Sequence, residues 1–172
     1  MKVINLFGGP GVGKSTMASG LFYILKKNGH NVEYVTEQAK SFTWENRHTT
    51  LMCQPYVFAK QMRNIWRLNG KVDYVICDSP LLLSYIYADH SVWPKEFFDY
   101  VFAQFNAFDN INFLLERNKK YVPIGRNEDE SEAKLIDLEI ESMLKEYSIE
   151  YYNCKDLPNL LYLLATNRIV YV

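Results

Sequence analysis

Apolar positions along this chain switch repeatedly between two periods. Residues 2–7 (Lys-Val-Ile-Asn-Leu-Phe) form a short apolar run that breaks at Gly8-Gly9, as a buried strand does. Residues 14–27 take helical spacing, with Met17, Leu21, Ile24 and Leu25 on one face, and Asn28-Gly29 supplies the stop. The alternation continues. Further strands are predicted over 31–36 (Val32, Tyr34, Val35), 72–78, 111–116 and 149–153. Between them, helices are predicted from Pro55 to about residue 68, from Pro80 to about 88, from Pro94 to about 107, over 131–147 and over 158–165. Residues 168–172 read as an added edge strand. Residues 117–130 are polar, contain Pro123 and Gly125, and are predicted to be a mobile loop of a length that usually serves function.

Strands alternating with helices imply βαβ units, hence an α/β fold with a five-stranded parallel sheet and helices on both faces. No repeat, low-complexity tract or linker interrupts the pattern, and 172 residues suit one domain over 1–172.

The first strand–helix junction carries the most specific chemistry. Gly8-Gly9-Pro10-Gly11-Val12-Gly13-Lys14-Ser15 fits the Gly-x4-Gly-Lys-Ser/Thr pattern of a phosphate-binding loop. Glycines let backbone N–H groups converge on phosphate oxygens, and the helix opening at Lys14 presents its positive end to the same anion. Lys14 is the residue to bridge the β- and γ-phosphates of ATP, Ser15 to ligate Mg²⁺, and Thr16 a further phosphate contact.

Two acids follow predicted strands directly. Asp78 ends the third strand, which in a doubly wound sheet runs beside the first, so its carboxylate is expected near the phosphates as a Mg²⁺ ligand. Glu37 follows the second strand, where a carboxylate can accept the proton of an attacking hydroxyl or hold a sugar hydroxyl. Either acid could be the base. Trp44, Tyr56 and Phe58 are candidates to stack on a nucleobase.

Charge distribution refines the picture more than composition does. The net charge of −1 hides a basic segment in which Lys40, Arg47, Lys60, Arg63, Arg67 and Lys71 are opposed only by Glu45, and which points to an anionic substrate. Arg117, Lys119, Lys120 and Arg126 crowd the long loop, as mobile cations for a charged transition state would. Glu128, Asp129, Glu130 and Glu132 suit the first turn of the helix that follows. Cys53, Cys77 and Cys154 are odd in number and widely spaced, so free thiols in a reducing, cytoplasmic setting are expected. No run is long and apolar enough for a membrane span, the N-terminal residues do not read as a secretory signal, and His30, His48 and His90 show no metal-ligand spacing.

With these residues placed, the chain resembles the P-loop nucleoside and nucleotide monophosphate kinases, in particular deoxynucleoside kinases and the small AAA-like kinases common in phages. The resemblance implies a three-layer P-loop kinase fold with a lid at about 117–131. Glu37 with Trp44 looks like the Glu…Trp segment after strand two, where the Glu serves as base. Gln54-Pro-Tyr-Val-Phe-Ala-Lys-Gln61-Met-Arg63 looks like the helix whose Gln and aromatic residues hold the base. Arg117 and Arg126-Asn-Glu128 look like the Arg-rich lid. One departure stands out. Those kinases carry acid-Arg-Ser after strand three, and here the residues are Asp78-Ser79-Pro80, leaving Arg63 or Lys40 to replace the Arg.

The expected activity is therefore transfer of the γ-phosphoryl of ATP, with Mg²⁺, to a nucleoside or nucleotide. A phage-type kinase of nucleic acid, acting for instance on a hydroxymethylated pyrimidine in DNA, is a close variant. A nucleotide-dependent hydrolase or switch is the competing class. It is weakened because Asn118-Lys119-Lys120-Tyr121 lacks the Asp of a GTPase Asn-Lys-x-Asp motif, and because the chain is too short for the helical second domain of a large AAA motor. No membrane partner is expected, and a homodimer is compatible with the sequence.

Overall fold

Two faces of one sheet account for nearly all of the apolar pattern. A computed structural model describes residues 1–170 of the chain. Strand β1 (Lys2–Phe7) alternates its side chains across the sheet: Val3 and Phe7 enter one apolar cluster, Ile4 and Leu6 the other. Around β1 the strands β2 (Val32–Val35), β3 (Tyr74–Cys77), β4 (Asp109–Leu115) and β5 (Tyr152–Cys154) stand in the order β2-β3-β1-β4-β5, every pair parallel. Helices α1 (Lys14–Lys27) and α8 (Leu157–Thr166) cover one face through Ala18, Leu21, Leu25, Leu160 and Leu164. The other face is covered by α4 (Gln54–Trp66), α6 (Lys95–Asn106) and α7 (Glu130–Glu146), with the short α5 (Leu83–Tyr87) beside them. The fold is the expected three-layer α/β/α sandwich around a five-stranded parallel sheet.

The one apolar mismatch in the central strand is satisfied locally. Asn5 is buried and donates to Asn110 Oδ1 at 2.9 Å and Asn112 Oδ1 at 3.0 Å, so its amide is not an unpaired polar group.

Three expectations need correction. Helices α2 (Gln38–Trp44) and α3 (His48–Met52) fill a stretch where no element was predicted, because neither carries a readable apolar stripe: α2 buries only Phe42 and α3 nothing. The fifth strand lies at Tyr152–Cys154 rather than 149–153, since Ser148 (φ 53) still belongs to the turn that closes α7. Residues 168–170 are not strand, and Arg168 sits at φ 55; Tyr171 and Val172 of that expected edge strand lie outside the described residues.

Candidate active site

Parallel register gathers the sequence-distant acids. Asn5 pairs with Cys77, and Val35 with Cys77, so β1, β2 and β3 end at the same edge. The residues that follow these strands, Gly8, Glu37 and Asp78, are thereby delivered to one place, the carboxyl edge where ligands bind in such sheets. Arg117 arrives just beyond β4 in the same way.

At Gly13 the chain adopts φ 111, a left-handed conformation open to glycine, and this residue is the N-cap of α1. Since Gly13 has no capping side chain, the first-turn N–H groups of α1 are left for an external anion. Lys14 is buried, and its Nζ donates to the carbonyls of Gly8 at 2.6 Å and Gly9 at 2.9 Å. Burial lowers the pKa of its ammonium, while the charges of Glu37, Asp78 and Asp137 work in the opposite direction.

A cavity of about 400 Å³ opens from this loop. Pro10, Gly11, Gly13, Lys14, Ser15 and Thr16 form its phosphate-loop end. Glu37 and Lys40 line one side, and Arg126, Asn127 and Glu128 of the long loop line another. Leu51, Met52, Val57 and Ile124, with Gln54 among them, give the cavity an apolar part of its lining. Burial raises the Glu37 carboxyl above the usual carboxylate range; Lys14 and Lys40 oppose the shift, and Asp78 and Glu128 reinforce it. Tyr87, 36 % exposed, also lines the cavity.

Asp78 lies beneath the loop end and is 1 % exposed. Its Oδ2 accepts from the Tyr34 hydroxyl at 2.6 Å, and Tyr34 also lies against Ser15 and Ser19. The other oxygen, Oδ1, is buried without a hydrogen-bond partner. An orphaned carboxylate oxygen beside a buried lysine and the Ser15 region suits a Mg²⁺-bearing phosphate. Among the described residues no three His, Cys, Asp or Glu side chains cluster to hold a metal by themselves. Cys77, next to Asp78, is no nucleophile: burial pushes its thiol up to about 12.

Several predicted residues lie elsewhere. Phe58, 2 % exposed, meets Phe97 and Tyr100 edge-on at ring separations of 6.0 and 5.9 Å, which makes it a core residue rather than a stacking platform. Tyr56 faces away from the cavity, against Phe42 and under Lys60. Arg63 is exposed and outside the cavity. Gln61 is buried behind the site, where it accepts from the Gln38 N–H at 3.2 Å and so fastens the start of α2. Trp44 is exposed and packs against Gly125, where an added Cβ would lie 2.6 Å from the indole. Gln54 does line the cavity, with Nε2 donating to Leu51 O at 2.8 Å.

Arg117 is not in the cavity lining. Its Nε donates to Asp137 Oδ2 at 2.6 Å, and the other oxygen of Asp137 accepts the Gly9 N–H, also at 2.6 Å. Sequence reading missed Asp137, Tyr34 and Tyr87. For Asp137 a signal existed: it falls on the same stripe of α7 as the buried Ala133, Ile140 and Leu144. The expected acidic first turn of α7 is a capping box, in which Asp129 accepts from the Glu132 N–H and Glu132 from the Asp129 N–H.

Among the described residues no helix is long and apolar enough to cross a membrane. No curated protein sequence matches the chain. In overall structure it is similar to deoxyadenosine kinase from M. mycoides with bound dATP, at TM-score 0.58 and 15 % identity, covering 99 % of this chain and 100 % of that one. The same enzyme with the products dCMP and a flexible dCDP bound gives TM-score 0.55 and 16 % identity, covering 98 % of each chain. At such identities the likeness establishes the fold. The model of the AAA domain matches residues 3–157, nearly the whole chain. The chain belongs to the AAA domain family and carries the fold of the P-loop nucleoside and nucleotide kinases.

Proposed function

We propose that this protein is an ATP-dependent phosphotransferase whose acceptor is a hydroxyl of a nucleoside or nucleotide. The observation that carries this reading is one cavity lined together by Lys14 of the phosphate loop, by the Glu37 carboxylate and by Gln54 among the apolar side chains Leu51, Met52, Val57 and Ile124. The fold shared with a deoxyadenosine kinase supports the same reading.

In this mechanism the loop N–H groups and Lys14 hold the triphosphate, Lys14 exchanging the Gly8 and Gly9 carbonyls for phosphate oxygens. Mg²⁺ brought with ATP would be held by Ser15 and Asp78 and would neutralise phosphate charge. The acceptor oxygen attacks the γ-phosphorus, the bond to the bridging β–γ oxygen breaks, and ADP leaves. The acceptor proton passes to Glu37, which is the better placed base because it lines the cavity while Asp78 lies beneath it. Arg126, which lines the cavity with its guanidinium 5.4 Å from the Tyr121 ring centre, acts on the transferring group from the loop at 117–129, which serves as the lid, while Arg117 at the start of that loop is held in place by Asp137 and acts from beside the phosphate loop.

A second reading has one observation in its favour. Lys60, Arg63, Arg67 and Lys71 are exposed and outside the cavity, a basic surface that suits a nucleic-acid acceptor. A transfer screen with γ-labelled ATP separates the two. Nucleosides, nucleoside monophosphates and plain or hydroxymethylated DNA are offered, with Lys14→Ala as control. Label in one small-molecule pool is expected; label on DNA alone would favour the second reading. Free phosphate with no labelled acceptor, or a fully active Lys14→Ala variant, would refute kinase chemistry.

A further inference from the structure

Helix α7 is pressed onto the phosphate loop at one point. A Cβ on Gly9 would lie 2.6 Å from Ala133 O and 2.9 Å from Asp137 Oδ1, so only glycine lets the two backbones approach this closely. At that contact the Asp137 carboxylate divides its oxygens: Oδ1 accepts the Gly9 N–H and Oδ2 accepts Arg117 Nε. Ala133 O takes Arg117 Nη2 at 3.4 Å. One edge of the guanidinium is thus fastened to α7.

The other edge is not. Arg117 Nη1 is buried and has no hydrogen-bond partner, and it lies 3.4 Å from where a Cβ on Gly11 would stand. A buried guanidinium N–H without an acceptor costs free energy unless an acceptor arrives. Beside Gly11, in a loop built to cradle phosphate, the acceptor that fits is a phosphate oxygen.

We infer that Asp137 is a positioning residue that joins the phosphate loop, Arg117 and α7 into one unit and aims Arg117 Nη1 at the phosphates of the bound nucleotide. It acts through Arg117 and the Gly9 N–H and touches no substrate itself. Because α7 follows the loop that carries Arg126, the same carboxylate ties that loop's far end to the nucleotide site. The inference rests on the nucleotide-binding half of the reading above.

The test is a double-variant cycle read by equilibrium binding of ADP and of the β,γ-imido analogue of ATP, with magnesium, to wild type, Arg117→Ala, Asp137→Asn and the double variant. Asparagine can still accept the Gly9 N–H but cannot pair with the guanidinium. Each single variant is expected to weaken binding on the order of tenfold, the scale of a hydrogen bond to a charged group. The double variant should bind no more weakly than Arg117→Ala. Losses that multiply in the double variant, or an Asp137→Asn protein that binds like wild type, would overturn the inference. A wild-type chain that binds neither nucleotide would defeat the nucleotide-binding reading itself and the inference with it. Melting curves on the same proteins separate folding from coupling, since a purely structural Asp137 lowers Tm without producing the non-additive binding. If Asp137→Asn does not fold, Asp137→Glu takes its place: it keeps the charge, displaces the guanidinium, and should show the same coupling.

Discussion

Phe58 and Gln54 sit one turn apart on α4, and the structure gives them different tasks. Phe58 lies in the core against Phe97 and Tyr100, while Gln54 lines the cavity. Truncating a buried Phe to Ala removes its transfer free energy and leaves a cavity, together about 3–5 kcal/mol. Edge-on ring pairs of the kind Phe58 makes place the value toward the upper end. For a chain of this length each kcal/mol moves Tm by about 2–4 °C, so Phe58→Ala should melt roughly 6–20 °C lower. Where that loss approaches the whole stability of the domain, Phe58→Leu, which removes less volume and therefore costs less, carries the test. Acceptor KM measured well below the melting range should stay at the wild-type value. Gln54→Leu should behave differently, with Tm lowered only by the few degrees that the lost hydrogen bond to Leu51 O costs and acceptor KM raised on the order of tenfold. Thermal melts by circular dichroism and steady-state kinetics on the same preparations give both readouts. A Phe58→Leu protein with wild-type Tm and a raised acceptor KM would show that the ring faces the acceptor and that this view of α4 is wrong.

Two further predictions concern the phosphate end. Burial holds Glu37 protonated to a higher pH than an ordinary carboxylate, so a base at this position should make kcat/KM fall as pH drops through that raised pKa; Glu37→Gln should remove this limb and lower the rate about 10²–10⁴-fold. The neutral form is the one the fold favours, so the Glu37 contribution to stability is greatest at low pH and is lost as pH rises, and Glu37→Gln should raise Tm relative to wild type at neutral pH but not at acid pH. A pH–rate profile unchanged by Glu37→Gln would exclude Glu37 as the base. Gly9→Ala should destabilise by about 1–3 kcal/mol through overpacking against Ala133 and weaken nucleotide binding, whereas unchanged melting and affinity would mean that α7 does not seat on the loop.

What could be read from the sequence was local or set by strand ends. The loop Gly8–Ser15 is a contiguous motif whose geometry follows from its own residues and the strand and helix beside it. Glu37 and Asp78 could be placed because each lies within two residues of a strand end, and parallel register brings such positions to one edge without further information. Helix-borne residues are different. Successive side chains on a helix point about 100° apart, so the stretch from Gln54 to Arg63 distributes itself over every direction. Gln54 and Val57 face the cavity, Phe58 and Gln61 face inward, and Tyr56 and Arg63 face out. Nothing in that stretch alone fixes which face meets the ligand, since the cavity wall opposite it is made by α2, α3 and the loop at 117–129.

Asp137 marks the boundary between these two cases. It lies on a helix, yet its importance could have been inferred, because a carboxylate on the stripe shared by Ala133, Ile140 and Leu144 conflicts with burial unless something pairs with it. The pairing partners are a guanidinium and a backbone N–H, both at the phosphate site and both distant in sequence. A polar residue on an apolar stripe therefore carries information that a motif does not: it states that a partner must exist. Asn5 in the central strand poses the same demand and is answered by Asn110 and Asn112. The two differ in what remains unsatisfied afterwards. The Asn5 cluster closes on itself through Asn112, which donates to Glu150 O, whereas the Asp137 cluster leaves Arg117 Nη1 unmet beside the loop. The closed network holds the sheet together, and the one with a donor to spare is the one suited to take up a phosphate.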